Sequence, residues 1–330
     1  MKILITGSSG YIGSCLSNLL NKKLSIYGID KNRPNEWTTI KKNNFYTCNL
    51  LDKKKLEKII SKIMPDTVIH LAAQSTVNEK ISKKEYFTNN VTTTKNLINI
   101  MSKFQIKNII FSSTAAVYDK NSKKISENYR LKPISKYGKS KLQAEIEIKK
   151  KLNIRYIILR FFNVSSSIPK LKIGELHKPE THLIPISVTK SIKGETISIY
   201  GNNYSTNDGT CIRDYVHIKD ICLAIIKSNN YLKNKRSKSS ILNIGNGKGI
   251  SNSQILSSLK KILKKKIKVE YLDRRKGDQP FLVCNVNKAK QLIKWNPDNS
   301  KIDKILKDEI EWANFLIKKN VNRKFLNVQK

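Results

Sequence analysis

The chain has 330 residues, 39% of them hydrophobic, and 64 Lys+Arg against 25 Asp+Glu give it a formal net charge of +39. That length buries a sizeable core in one large domain or two packed ones, and the regular apolar patterning excludes wholesale disorder. No run of 18 apolar residues is present to cross a membrane, and five scattered cysteines (Cys15, Cys48, Cys211, Cys222, Cys284) without a CxxC argue against a disulfide framework or a zinc site and for a reducing cytoplasm.

The chain opens directly into the strand-like Met1-Lys2-Ile3-Leu4-Ile5, without signal-peptide anatomy. Strands are expected at Lys2–Thr6, Ser25–Ile29, Asn44–Thr47, Thr67–His70, Lys107–Phe111 and Arg155–Arg160. Helices are expected between them, at Tyr11–Asn21, Lys53–Ile63, Phe87–Lys103 and Ser135–Lys151. This alternation specifies a parallel sheet with helices on both faces, because parallel strands need right-handed crossovers. Past Ser165 the rhythm loosens around Pro169, Gly174 and Pro179, and helical patterns return at Leu183–Lys193, Ile218–Asn230, Ser253–Leu263 and Ile302–Lys318. The expected fold class is therefore α/β: a doubly wound, parallel-sheet Rossmann domain (1–165) and a smaller mixed α/β substrate domain (166–330). The chain is expected to return to the first domain near 215–250, and the residues from Lys319 read as a polar tail.

The charge first suggests a polyanion partner. It comes, however, from 55 Lys and only 9 Arg, spread along the chain in company with 46 Ile and 34 Asn. Those residues share A/T-rich codons, whereas base and phosphate recognition leans on the planar fork of Arg. Clusters such as Lys53-Lys54-Lys55 and Lys149-Lys150-Lys151 then read as solvated helix faces. Neither nucleic acid nor a membrane is expected as a partner.

Thr6-Gly7-Ser8-Ser9-Gly10-Tyr11-Ile12-Gly13 follows a strand and opens a helix. Glycines at 7, 10 and 13 permit a tight turn, close approach of backbone to a pyrophosphate, and close packing of helix on strand. The helix N-terminus adds N–H groups and partial positive charge. Asp30 ends the next strand, 17 residues after Gly13; a carboxylate there accepts from ribose hydroxyls and repels a 2′-phosphate, which favours NAD over NADP. Lys31 and Arg33 nearby pull the other way. Further on, Tyr137-Gly138-Lys139-Ser140-Lys141 reads Tyr-x-x-x-Lys in a helical pattern, a spacing that stacks both side chains on one face. Tyrosine titrates near pH ~10, and an adjacent ammonium favours the phenolate. Upstream, the hydroxyl cluster Ser112-Ser113-Thr114 stands at a strand end, where open α/β sheets bind ligands.

With these three signals in this order, the chain resembles the extended short-chain dehydrogenase/reductase family. Within it, the match narrows to the UDP-galactose 4-epimerases. Phe111-Ser112-Ser113-Thr114-Ala115-Ala116-Val117-Tyr118 is similar to their strand-end motif, as are Asn89-Asn90-Val91, Leu159-Arg160-Phe161-Phe162-Asn163 and His182-Leu183-Ile184-Pro185 to other segments. Tyr200-Gly201-Asn202-Asn203-Tyr204 through Cys211-Ile212-Arg213-Asp214-Tyr215-Val216-His217 is similar nearly throughout to their long second-domain signature, and Arg274-Arg275-Lys276-Gly277-Asp278 to their late motif. The resemblance runs from residue 1 to about residue 316.

The resemblance implies that Tyr137 removes the proton of the sugar 4-hydroxyl while C4 gives hydride to a permanently held NAD, with Thr114 on the reacting oxygen and Lys141 on the nicotinamide ribose. The 4-keto sugar turns over and takes the hydride back on its other face, so no metal is required. It further implies cofactor contacts from Gly7, Gly10, Tyr11, Ile12, Gly13, Asp30, Asn32, Asn49, Leu50, Ala72, Asn90, Ser112 and Phe162. UDP-sugar contacts are implied for Asn163, His182, Leu183, Tyr200, Arg213, Arg275, Asp278 and Leu282, in a homodimer. Some residues also have a plain structural reading: Arg213 paired with Asp214 or Asp220, Asp278 capping a turn after Gly277, Tyr200 as core, and, outside these sets, His70 and His217 packed at strand ends. Two departures stand out. Gln74-Ser75 replaces the lysine that some relatives carry near the pyrophosphate. Leu282 replaces a tyrosine, which opens the question of N-acetylated sugars. Dehydratases of the superfamily carry Asp-Glu after the strand-end Thr, where this chain has Ala115-Ala116. Another NAD-dependent nucleotide-sugar epimerase or reductase, or a non-catalytic NAD-binding regulator, are the alternatives.

Overall fold

The computed structural model describes residues 1–321 apart from 21–22, 35–37, 77, 79, 120–122, 178–179, 276 and 320. The end of the first expected helix at Asn21, Lys276 of the late motif and nearly all of the expected polar tail lie outside the described residues.

The first half alternates strand and helix: β1 (Lys2–Thr6), α1 (Tyr11–Leu19), β2 (Ser25–Asp30), β3 (Phe45–Thr47), α2 (Lys53–Ile63), β4 (Thr67–His70), α3 (Lys83–Phe87), α4 (Thr93–Lys103), β5 (Asn108–Thr114), α5 (Lys136–Lys149), β6 (Arg155–Phe161) and β7 (Asn163–Ser165). The remainder runs α6 (Leu183–Lys193), β8 (Ile197–Tyr200), β9 (Ile212–Arg213), β10 (Tyr215–His217), α7 (Ile218–Lys233), β11 (Ser240–Ile244), β12 (Ile250–Ser251), α8 (Asn252–Leu263), β13 (Val269–Leu272), β14 (Phe281–Leu282), α9 (Asn287–Ile293) and α10 (Ile302–Lys318).

Seven strands form one parallel sheet in the order β11-β6-β5-β4-β1-β2-β3. Side chains alternate between its faces as the two-residue strand period requires. Ile3 and Ile5 of β1 join a core with Cys15 and Leu16 of α1, Ile221 and Ile225 of α7, and Ala289 of α9. Leu4 of the same strand joins a second core, with Leu56 of α2, Leu97 of α4 and Ile148 of α5. The sheet is thus covered on both sides, and its buried strands read as continuous apolar runs. β11 lies beyond residue 215, so the chain comes back to complete the sheet by pairing β11 with β6.

Helix starts follow from capping side chains. Asp52 accepts from the Lys55 N–H at 3.0 Å, Ser82 from Glu85 at 3.0 Å, and Ser135 from Gly138 at 3.0 Å; each satisfies a donor that a helix end leaves open. The helix expected from Phe87 to Lys103 starts earlier, at Lys83, and contains a π-helical stretch over Thr88–Thr92. There the hydroxyls of Thr93 and Thr94 donate back to the carbonyls of Asn89 and Asn90 at 2.6 Å, and the wider turn sits beside the site.

The smaller lobe packs α6, α8 and α10 around Ile184, Val188, Ile255, Leu259 and Ile305, with the parallel pair β8–β13 alongside. No helix among the described residues is long and apolar enough to cross a membrane.

Candidate active site

In the sheet order, β4 and β2 flank β1. The chain's winding reverses at that point, and open α/β sheets bind ligands outside the carboxyl ends of strands there. Gly7, at φ +72°, takes the left-handed conformation; a Cβ on it would stand 2.6 Å from the Ala72 nitrogen. A Cβ on Gly13 would stand 2.3 Å from the Gly7 carbonyl oxygen. Only glycine therefore lets α1 sit this close to β1 and β4. No side chain caps α1, and no acidic residue lies in its first turn, so its positive end faces the strand ends uncompensated. The Asp30 carboxylate accepts from the N–H of Ser9 at 2.9 Å and of Asn32 at 3.0 Å, which fixes it at the end of β2 against the glycine turn. This cradle, with a carboxylate one strand over, fits a dinucleotide with unphosphorylated ribose hydroxyls.

Other residues named for the cofactor line the same edge or lie just behind it. Tyr11 donates its hydroxyl to the Ser166 carbonyl, and burial pushes that phenol well above its ordinary pKa. The Asn49 side chain accepts from the Leu51 N–H at 3.0 Å, and Leu50 is buried in the core under α2 and α4. Ile12 and Ala72 are half-buried against the two cores. Asn90, on the π-helical turn, accepts from the Gln74 N–H at 2.7 Å and donates to the Gln74 carbonyl and the Ser140 hydroxyl. It clamps the backbone after β4 to α5. Ser112 donates to the His70 carbonyl at 3.1 Å. Phe162 is buried in the core, its N–H given to the Ile244 carbonyl.

Thr114, Tyr137 and Lys141 come together as the spacing requires. β5 runs three residues beyond the expected end and delivers Thr114 to the sheet edge, close enough to Tyr137 to hold its phenol pKa down. Lys141, 2% exposed, lies one turn on, its Nζ 4.3 Å from the centre of the Phe111 ring. Burial pushes the Tyr137 phenol up to about 12, partly opposed by Thr114, and draws the Lys141 ammonium down to about 7, against the attraction of Glu145. Both shifts have one cause, a pocket that disfavours charge.

The second lobe brings together another group. Arg213 donates to the Gln279 carbonyl at 2.6 Å and meets the Asp278 carboxylate at 3.3 Å. Its pairing with Asp214 or Asp220 is not what the structure shows: Asp214 accepts from the N–H of Asn246, Gly247 and Cys284, and Asp220 accepts from Asn299 and Ser300. Leu282 stands in register with Arg213 on the neighbouring strand. The Arg275 guanidinium lies 3.8 Å from the centre of the Tyr200 ring, a cation–π contact. Asn163 is in register with Tyr215, joining the end of β7 to this group. His182 and Leu183 form the entry to α6.

Residues 3–245 match the NAD dependent epimerase/dehydratase family. The chain belongs to this family. A UDP-glucose 4-epimerase of Streptococcus mutans is 36% identical over 323 residues, covering 94% of this chain and 96% of the relative. One of Mycoplasma genitalium is 37% identical over 327 residues, covering 94% of each. Among solved structures, a Brucella ovis UDP-glucose 4-epimerase in complex with NAD superimposes with a TM-score of 0.86 at 30% identity, covering 94% of this chain and 97% of that one.

Several residues at this family site carry no motif the sequence offers. Tyr86 of α3 places its ring 6.2 Å from that of Tyr137 and is held by its own hydrogen bonds to Thr76 and Asn78. His70 is packed at its strand end, between the hydroxyls of Thr6 (2.6 Å) and Thr94 (3.0 Å), and burial lowers its pKa to about 3. Glu145 lies four residues after Lys141, on the same face of α5. Its carboxylate takes Ser113 at 2.5 Å and both Nε and Nη2 of Arg160 at 3.0 and 2.7 Å. Arg160 continues to the Tyr118 hydroxyl at 2.9 Å, and that hydroxyl to Asn243 at 2.6 Å. The i, i+4, i+8 spacing of Tyr137, Lys141 and Glu145 was the available signal.

Proposed function

We propose that this protein inverts C4 of a UDP-hexose, interconverting UDP-glucose and UDP-galactose by transient oxidation to the 4-keto sugar. The observation that carries this is the grouping of Thr114 at the end of β5 with Tyr137 and, one turn on along α5, Lys141, at the strand ends beside the glycine cradle. NAD, when bound, supplies the acceptor and then the donor of the C4 hydride, and a positive charge beside Tyr137.

In this reading Tyr137 takes the proton of the 4-hydroxyl and later returns it. Burial holds the phenol near 12, so forming a phenolate requires cationic neighbours to lower that barrier. Lys141, stacked on the same helix face, contributes in its protonated form. Thr114 holds the sugar oxygen at the end of a strand that the sheet makes rigid. Gly7, Gly10, Tyr11, Ile12 and Gly13 bind the pyrophosphate, and Asp30 with Asn32 the adenosine ribose. Asn49, Leu50, Ala72, Asn90, Ser112 and Phe162 wall the rest of the cofactor site. Arg213 and Arg275 neutralise the UDP diphosphate, Asn163 adds a donor to it, Asp278 takes the ribose, and Tyr200 and Leu183 surround the uracil, next to His182, whose imidazole Nδ1 is engaged by Glu175 and Glu180. Ala115, 5% exposed in the turn after Thr114, leaves no acid for a dehydratase.

A second reading concerns breadth: Leu282, paired in register with Arg213, leaves room for an N-acetyl group at C2, so UDP-N-acetylhexosamines are further substrates. Residence in the cytoplasm fits five cysteines that are all free and buried, and homodimeric assembly belongs to the same reading, tested by light scattering. The decisive measurement is a coupled epimerase assay on pure protein with both UDP-hexoses, with the absorbance of bound NAD(H) recorded. Tyr137→Phe is expected to lower kcat by ~10²–10⁴ while bound NAD is retained. Wild type that interconverts neither sugar would overturn the proposal.

A further inference from the structure

Four side chains on the segment leading into α6 gather at one point. Glu175, His177, Glu180 and His182 each offer a ligand atom, and all four atoms lie within 4.8 Å of one another. The scattered cysteines offer no zinc site, whereas these donors are imidazole and carboxylate. We propose that the cluster is a structural site for a divalent transition-metal ion of zinc's class.

The donor set comes first. Two imidazole nitrogens and two carboxylate oxygens suit zinc, cobalt or nickel, while magnesium and calcium take oxygen alone. The two carboxylates balance the charge of one divalent ion. Imidazole and carboxylate bind zinc at ~2.0–2.2 Å, so tetrahedral donors stand about 3.3–3.5 Å apart. Here His177 Nδ1 is 2.5 Å and His182 Nδ1 2.9 Å from Glu175 Oε1, and His182 Nδ1 is 2.9 Å from Glu180 Oε1. To reach the zinc spacing these three pairs open by about 1 Å or less, while the wider pairs, all within 4.8 Å, close on the ion.

A second observation points independently to a ligand. Glu180 is 0% exposed. One carboxylate oxygen accepts from the N–H groups of Thr181 and His182 at 2.8 and 2.9 Å, but the other, equally buried, meets no donor among the described residues. A buried carboxylate oxygen left without a partner is strongly unfavourable; an ion held by the cluster removes that penalty.

The surroundings suit a closed site with an entry path. Glu175 is 2% exposed, and its carbonyl is held by the indole N–H of Trp312 on α10 at 3.2 Å. The imidazoles of His177 and His182 are 35% and 51% exposed. The Glu180 carboxylate is thus fixed by backbone N–H groups, and the imidazoles close over the ion from the solvent side. Four protein ligands leave no open position, so the ion is structural and not catalytic. It fastens residue 175 to residue 182, the residue that begins α6.

The test uses untagged holoenzyme, stripped of metal and titrated with zinc alone. Wild type is expected to bind one zinc per chain. His177→Asn and Glu180→Gln are each expected to weaken binding by more than the ~10–100-fold that loss of an outer-shell partner produces. Cobalt in place of zinc gives a reading that does not depend on the variants folding. Visible bands of a tetrahedral ion without thiolate charge transfer are expected. No stoichiometric zinc in wild type, undiminished affinity in the two variants, or a thiolate charge-transfer band that assigns the metal to cysteines would each overturn the proposal.

Discussion

Truncating Glu145 separates what holds the catalytic helix from what reacts on it. Its carboxylate and the Arg160 guanidinium are 0% and 1% exposed, and the bidentate pair ties α5 to β6 while Ser113 ties the same carboxylate to β5. In Glu145→Ala the guanidinium keeps the Tyr118 hydroxyl and the Glu127 carbonyl but loses its counter-charge in a buried site. Breaking a buried pair from one side costs about 3–5 kcal/mol. The double variant Glu145→Leu/Arg160→Met removes both charges and is expected to recover most of that loss. Urea unfolding followed by circular dichroism, at saturating NAD, measures both through the shift in midpoint multiplied by the slope. A second effect runs through Lys141, whose pKa burial draws down to about 7 and Glu145 holds up. Glu145→Gln lowers it further, so the ammonium is lost at lower pH and the alkaline limb of kcat moves to lower pH. A loss in Glu145→Ala no larger than the ~1 kcal/mol of an ordinary point mutant, or a double variant as unstable as the single, would refute the reasoning.

Gly13→Ala places a methyl group 2.3 Å from the Gly7 carbonyl oxygen, so α1 must shift; purified protein is expected to have lost its bound NAD, read from absorbance, while circular dichroism still reports a folded chain. His70 is neutral in the fold, with its pKa drawn to about 3, whereas an unfolded chain takes up its proton below pH ~6.5. Stability present above that pH is therefore lost as pH falls from ~6.5 toward 3, and His70→Gln is expected to flatten that part of the stability curve in thermal melts at stepped pH. Leu282→Tyr is expected to lower kcat/KM for UDP-N-acetylglucosamine relative to UDP-glucose, and an unchanged ratio would remove the second reading of substrate breadth.

The strands of the large sheet were legible because their apolar runs are continuous and their helices amphipathic. Even the return of the chain to the first domain was expected near 215–250, the stretch that holds β11. The start of α3 was not legible, since Lys83-Lys84-Glu85 carries no apolar period and only the Ser82 cap marks it. The glycine loop and Tyr-x-x-x-Lys could be read because each is a local spacing. The partners of Arg213 could not: Asp278 lies 65 residues away, joined to it only through the pairing of β9 and β14. The Glu145–Arg160–Tyr118–Asn243 chain escaped for the same reason, since it links α5, β6, the turn after β5 and β11. Glu175, His177, Glu180 and His182, by contrast, fall within eight residues of one another, a local spacing.

The return of β11 to the edge of the large sheet has a consequence for how the protein is made. Until Ile244 has left the ribosome, β6 is an edge strand with one row of unpaired N–H and C=O groups. The sheet face that α7 covers, with Ile157 and Leu159 on it, is bare for the same interval. At synthesis rates of ~5–20 residues per second, the 83 positions from Phe161 to Ile244 leave that edge open for roughly 4–17 s. The nucleotide-binding half is therefore not an autonomous early folding unit: its last strand and its covering helix are supplied late, and chaperone demand should concentrate in that interval.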